Sequence, residues 1–251
     1  MAKIKFDEVG KRLYETGVEQ VVLFPMGADG AYATGVGWNG VTSIEESPEG
    51  GEETKLWADN IAYLSLRSKE QFKATINAYT YPDEWAECDG SKAVIKGFIA
   101  GQQTRKPFGL AYITRIGNDT EFEDHGFKLN IIYNCTASVS SKSHNTINDS
   151  PEATEMSWEI SSNAIESGLV DSLGNKLKDL STITLVSTDF TETATKAKFD
   201  SVINKIYGTD PTTQGGTGTD PELPSPSEIY TLLTATANAN RTNFQAKPEA
   251  K

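Results

Sequence analysis

Two cysteines, two histidines and no long apolar run set the first limits on this 251-residue chain. With only Cys88 and Cys135 a disulfide framework is excluded, and the pair reads as buried free thiols in preference to a single bridge. His125 and His144 each lie in a polar turn with no Cys or His partner at ligand spacing. A zinc site needs about four such groups, and a catalytic triad needs an orienting acid and a placed nucleophile. Both histidines are therefore expected as solvated surface residues. No stretch approaches the roughly 18 apolar residues that span a bilayer. The opening MAKIKFDEVGKRLYETG has basic residues but no apolar signal core, which predicts a product made and kept in the cytoplasm. Basic residues are in the minority too, with 23 Lys and Arg against 35 Asp and Glu, a net charge of -12 spread along the chain. That balance argues against a protein that coats nucleic acid, because phosphate binding needs cationic surface. It suits a passage that DNA slides through, where like charge keeps the polymer off the wall, and it suits plain solubility equally well.

What the chain does contain is Gly, Thr, Ser and Asn in abundance, a composition for many short strands joined by polar turns. From Val21 to Val186 the apolar periodicity is mostly two. Phe72, Ala74, Ile76 and Ala78 alternate with polar neighbours, as do Leu129, Ile131, Tyr133 and Cys135. Further strands are expected at Val21 to Phe24, Val36 to Ile44, Lys55 to Leu66, Leu110 to Ile116, Met156 to Ile160 and Ile183 to Val186. One helix stands out, with Phe199, Val202, Ile203, Ile206 and Tyr207 on one face and Gly208 as its stop. A shorter helical segment is expected at Asp83 to Glu87. The fold class is therefore mainly β with one or two helices (α+β), a β-sandwich or β-barrel with a packed α-helix. Residues 1–208 form the β-domain, 209–227 read as a Pro/Gly/Thr-rich linker with no core of its own, and 228–251 as a short apolar anchor followed by a polar tail.

The search for chemistry finds little. Gly35, Gly37 and Gly40 in GVGWNG have dinucleotide-loop spacing, but a strand former, Val-Thr-Ser-Ile, follows where a helix should start. Glycines in a bulged strand or an Asn39-Gly40 turn are the expected reading. Asp119, Glu121, Glu123 and Asp124 lack the spaced ligand ladder of a calcium loop and read as an acidic hairpin tip. Trp38, Trp57, Trp85 and Trp158 read as core or interface anchors. Asn-x-Ser/Thr triplets at Asn118, Asn134, Asn148 and Asn240 read as chance in a Thr-rich chain without a secretion signal. No catalytic, cofactor-binding or metal-ligating residue is assigned, and the chain is expected not to be an enzyme.

Longer phrases are more specific. TKLWADNIAYLSL, NAYTYPDEWAECDG, GQQTRKPFGLAYITRIGND and NTINDSPEA, which together run from Thr54 to about Ile160, resemble the major tail proteins, or tail tube proteins, of long-tailed bacteriophages of Gram-positive bacteria. KRLYETGVEQVVLF and the helix ending at Tyr207-Gly208-Thr209-Asp210 echo them more weakly, while the stretch before Leu223 and the tail after Leu233 depart from the pattern. The resemblance implies a virion tail protein, assembled in the host cytoplasm as hexameric rings stacked into a tube whose lumen carries DNA without binding it. Implied partners are further copies of the chain, a tape-measure protein inside the tube, and terminator and distal tail proteins at its ends. The inner tube of a contractile tail or tailocin is the nearest alternative, and a carbohydrate- or receptor-binding β-sandwich a further one. If six subunits each give four strands to one barrel, 24 strands spaced about 4.8 Å apart and tilted about 40° make a wall roughly 48 Å across. About 35 to 40 Å then stays open for a duplex roughly 20 Å wide.

Three expectations about placement follow. Lys55 to Leu66 should pair with Val36 to Ile44 as a long hairpin, with the Glu45 to Glu53 loop projecting beyond the sheet. Leu110 to Ile116 and Phe127 to Ala137 should form a hairpin capped by Gly117 to Gly126. In it Lys128, Asn130 and Asn134 should face the lumen, and Leu129, Ile131, Tyr133 and Cys135 the core. Enough of the roughly -72 carried by six copies should face inward to repel phosphates across a Debye length of about 8 Å.

Overall fold

Alternation of apolar and polar residues does build the sheet the sequence promises. The computed structural model describes residues 4–140, 142–144, 146, 153–171, 173–211 and 217–234. Its main sheet contains β1 (Tyr14–Pro25), β2 (Val36–Gly37), β3 (Val41–Glu46), then β4 (Lys73–Ala78), β5 (Phe108–Asn118), β6 (Phe122–Ala137), β7 (Met156–Ser162) and β8 (Thr182–Val186). The order is β2-β1-β5-β6-β7-β4-β3, with β8 also paired to β6, and every pairing is antiparallel. The chain is mainly β, with three α-helices among the described residues: α1 (Trp85–Cys88), α2 (Thr193–Tyr207) and α3 (Pro226–Thr234).

The sheet wraps round one core. Leu23 of β1, Leu110 and Tyr112 of β5, Ile132 and Cys135 of β6, Trp158 and Ile160 of β7, and Ala74 and Ile76 of β4 all join a single buried cluster. Trp38, Trp85 and Trp158 sit at its centre with ring centroids 4.5 to 5.6 Å apart, edge-on or tilted as aromatic quadrupoles prefer. The Tyr112 hydroxyl reaches Glu46 of β3, joining the middle of the strand order to its end. A second cluster lies on the opposite side of β1, β5 and β6. There Phe24, Ile113, Leu129, Ile131 and Tyr133 are covered by Val202 and Ile206 of α2 and Ile229 of α3.

The hairpin of β5 and β6 forms as its alternation predicts, with Leu129 and Ile131 fully buried. The expected lumen face of β6 is corrected. Asn130 is buried and accepts a 2.9 Å hydrogen bond from Thr184, and Lys128 pairs with Glu15. Both lie on the Ile132 side, which the wrapped sheet turns inward. Cys135 is buried in the core as expected, but not on the expected face: the register shifts between Ile132 and Cys135, where Asn134 has φ 48°, and this bulge moves Cys135 to the face opposite Tyr133.

The expected pairing of Lys55 to Leu66 with Val36 to Ile44 does not occur. β3 pairs with β4, and Lys55 to Leu66 is itself a hairpin of β9 (Glu53–Ala58) and β10 (Ile61–Arg67). Its turn residues Asp59 and Asn60 have φ 50° and 64°, the left-handed pair that matches strand twist in a two-residue hairpin. The Glu45 to Glu53 stretch is no free loop. Ser47 N–H donates to the Lys73 carbonyl, Glu49 and Gln71 exchange main-chain bonds of 2.9 and 2.7 Å, and Ser68 N–H donates to Glu52. Gly50, at φ 95°, passes the Lys69 carbonyl so closely that a Cβ would lie 2.3 Å from that oxygen. A second small hairpin, β11 (Lys92–Ile95) with β12 (Phe98–Ala100), was not foreseen.

The C-terminal region needs a further correction. The stretch expected to lack a core places Leu223 in the helix-covered cluster, and the Tyr133 hydroxyl donates a 2.9 Å bond to the Pro224 carbonyl. α3 then opens with Ser225 and Glu228 bonded reciprocally and Pro226 as its first residue, a capping box that fixes its start. The polar tail from residue 235, and most of NTINDSPEA, lie outside the described residues.

Candidate assembly surfaces

The most distinctive surface is the ribbon that carries β3 and β4 outward. Its outer part, the hairpin of β9 and β10, is roughly 20 Å long at about 3.3 Å per residue. The strand register sorts its side chains. Leu56 lies opposite Leu64 and Thr54 opposite Leu66, which gives one aliphatic face. The other carries Lys55, Trp57 and Tyr63, with Trp57 70% and Tyr63 72% exposed. A two-stranded ribbon without a core is marginal in water, and apolar groups presented together on a surface mark a site of association. The second hairpin repeats the motif with Val94, Ile95, Phe98 and Ile99 exposed.

A third exposed apolar segment runs through Ile4, Phe6, Val9 and Leu13. It is fastened to the tip of the β5–β6 hairpin: Gly10 N–H donates to Asp119 at 2.8 Å, and the Arg12 guanidinium stands 3.8 Å from the same carboxylate. Asp119 of the acidic tip is thus engaged in holding the N-terminal segment. The side-chain oxygen of Asn118 accepts from the Thr120 and Glu121 amides, and Glu121 meets His125 at 2.6 Å. His125 is thereby a partnered tip residue, a correction to its expected solvated state, whereas His144 is exposed.

Trp38, Trp85 and Trp158 are core anchors, and Trp57 alone of the four tryptophans is on the surface. GVGWNG provides β2 and then a turn at Gly40 (φ 78°) before β3, so no helix start faces its glycines. Cys88 and Cys135 are buried free thiols. Burial pushes the Cys88 thiol up to about 12, and Cys135 is pushed up for the same reason. Asp89 holds Lys142 at 3.0 Å, and that ammonium lies over the Tyr81 ring, 5.3 Å from its centroid. Among the described residues no helix is long and apolar enough to cross a membrane.

No protein-family model matches the chain, and no curated protein sequence matches it. Among solved structures, a chain from the cryo-EM structure of the anti-feeding prophage baseplate, 6-fold symmetrised, aligns with 72% of this chain and 97% of its own length, at a TM-score of 0.33 and 7% identity. A superposition that loose establishes neither a shared fold nor a shared role.

Proposed function

We propose that the chain is a structural protein of a phage-type tail, a subunit that associates with copies of itself into stacked hexameric rings and so forms the tube through which DNA is delivered. The observation that carries this reading is the outlying ribbon. Aliphatic on one face and carrying Trp57 and Tyr63 on the other, it is left exposed by the described residues of its own subunit, so a neighbouring copy is the natural cover. Its sequence is also the TKLWADNIAYLSL phrase on which the resemblance to tail tube proteins rests. The mainly β architecture with a packed helix agrees with the fold that resemblance implies.

The test is assembly of the purified full-length chain at high concentration, followed by negative-stain microscopy and sedimentation. Tubes are expected from the parent. Leu56→Asp combined with Leu64→Asp should give a soluble monomer with unchanged circular dichroism and no tubes. A parent that stays monomeric at every concentration, or a variant that polymerises as well as the parent, would overturn the reading.

A further inference from the structure

Around β5 the charges are sorted by sign. From Gly90 to Asn118 the sequence carries five Lys and Arg residues and no Asp or Glu, and the next six residues, Asp119 to Asp124, carry four acids and no Lys or Arg. β5, eleven residues long, separates the two blocks by roughly 33 Å at about 3.3 Å per residue. At its Phe108 end lies the hairpin of β11 and β12, where Lys92 and Lys96 stand among the exposed Val94, Ile95, Phe98 and Ile99. The root of that hairpin is fixed by main-chain bonds of 2.8 Å from Gln103 N–H to the Gly90 carbonyl and 3.0 Å from Lys106 N–H to the Glu87 carbonyl. At the Asn118 end lies the β5–β6 turn, where exposed Phe122 stands between Glu121 and Glu123, beside the N-terminal segment that Asp119 holds. Neither set of charges is spent within the subunit. Lys92 shares a cleft with Glu87, but Glu87 is paired with Lys106. Glu123 and Asp124 share another with Arg115, but Arg115 is paired with Glu19 at 2.9 Å. Among the described residues Lys92, Lys96, Glu123 and Asp124 make no ion pair.

We infer that the cationic β11–β12 hairpin is a docking surface for a second copy of this chain, and that what it receives is the acidic β5–β6 turn of that copy. Apolar groups on both sides supply area to bury, and the opposite charges select the partner and its orientation. Hairpin against hairpin would set Lys against Lys, and turn against turn would set carboxylate against carboxylate. Complementary patches at opposite ends of one strand favour a heterologous contact, repeated head to tail from copy to copy along β5. As the contact that stacks one ring on the next, it rests on the tail-tube reading above. It leaves the β9–β10 ribbon to meet a different neighbour.

Charge reversal tests the pairing, in full-length chains whose circular dichroism matches that of the parent. Lys92→Glu with Lys96→Glu makes both ends acidic, and Glu123→Lys with Asp124→Lys makes both ends basic. Each of these variants alone should need a concentration higher by about tenfold or more to form tubes, because like charges now face each other. An equimolar mixture of the two should assemble at the parental concentration, and so should one chain carrying all four substitutions, because opposite charges meet again. Tubes from either variant alone as readily as from the parent, or no recovery on mixing and on combination, would overturn the inference while the tube reading stands. If the parent forms no tubes, sedimentation decides. Open-ended oligomers that either reversal disperses and mixing restores keep the head-to-tail contact and refute the tube, whereas a parent that stays monomeric or stops at a dimer removes both. Vesicles of anionic lipid that bind the parent but not the Lys92→Glu, Lys96→Glu variant, with assembly of that variant unchanged, would assign the hairpin to a bilayer and sink the inference.

Discussion

Gly109 lies beneath Leu223, and the distance between them turns the docking of the C-terminal strap into a measurable quantity. A Cβ at Gly109 would fall 2.2 Å from the Leu223 Cδ2 and 3.2 Å from the Tyr32 ring. Gly109→Ala therefore forces the leucine from its place, at a cost of about 1–3 kcal/mol, as for other overpacked sites. Leu223→Ala alone removes a side chain that is 9% exposed and leaves a hole against β5, a loss of about 2–3 kcal/mol. In the double variant the new methyl group occupies the vacated volume, so the combined loss should be smaller than the sum by about 1 kcal/mol or more. Urea unfolding of the full chain followed by circular dichroism provides all four stabilities needed for the cycle. Additivity within about 0.5 kcal/mol would mean that Leu223 does not rest on Gly109 in solution, and the packing of the strap described here would be wrong.

Other consequences of the structure are open to equally direct checks. Tyr133→Phe strips the Pro224 carbonyl of its buried donor and should cost about 1–3 kcal/mol in the same urea assay, while a neutral result would show water taking the place of the hydroxyl. Ser225→Ala breaks the capping box and should cost about 1 kcal/mol. The backbone bond from Ser225, aided by Lys205, lowers the Glu228 pKa, so the carboxylate's contribution is present above the ordinary Glu value near 4.5 and is lost as pH falls toward the folded value. Glu228→Gln should flatten the stability profile below about pH 4.5, and an unchanged slope there would count against the cap. In the folded protein at pH 8 both thiols should resist aromatic disulfide reagents until urea unfolds the chain, because burial disfavours the thiolate, and rapid reaction of the native protein would contradict the burial of Cys88.

The parts of the fold visible in the sequence are those where a single periodicity governs. Leu129 and Ile131 alternate cleanly, and Phe199, Val202 and Ile206 repeat at helical spacing, so the central hairpin and α2 could be read off directly. Where two rules compete, reading fails. Asp59 and Asn60 interrupt an apolar run by only two residues, and the run was read as one strand because nothing in its alternation reveals that both turn residues adopt left-handed backbone. Cys135 sits in phase with Tyr133 along the sequence, and a bulge at Asn134 reverses it. Pro and Gly between Thr209 and Ser227 signal an extended chain, and extended chain can still pack. Leu223 was the lone apolar clue, and Ser225-Pro226-Ser227-Glu228 was a helix start hidden by the surrounding composition. The alternation in β4 and β7 was legible too, but that the Lys128 and Asn130 side of β6 turns toward the tryptophan core required knowing which way the sheet curls.

The strand order also governs when the chain can fold. β1 pairs with β5 across roughly 80 to 100 residues of intervening sequence, and such distant pairings form slowly. At synthesis rates of about 5–20 residues per second, Val21, Val22, Leu23 and Phe24 leave the ribosome on the order of 5 to 20 s before their partner strand exists. The ribbon of β9 and β10 is local and can close at once, so a nascent chain carries a finished hairpin with exposed apolar side chains before it has a core. Chaperones that bind emerging apolar segments would meet β1 first and the ribbon second, and the yield of folded protein should respond to the rate of elongation between codons 25 and 108.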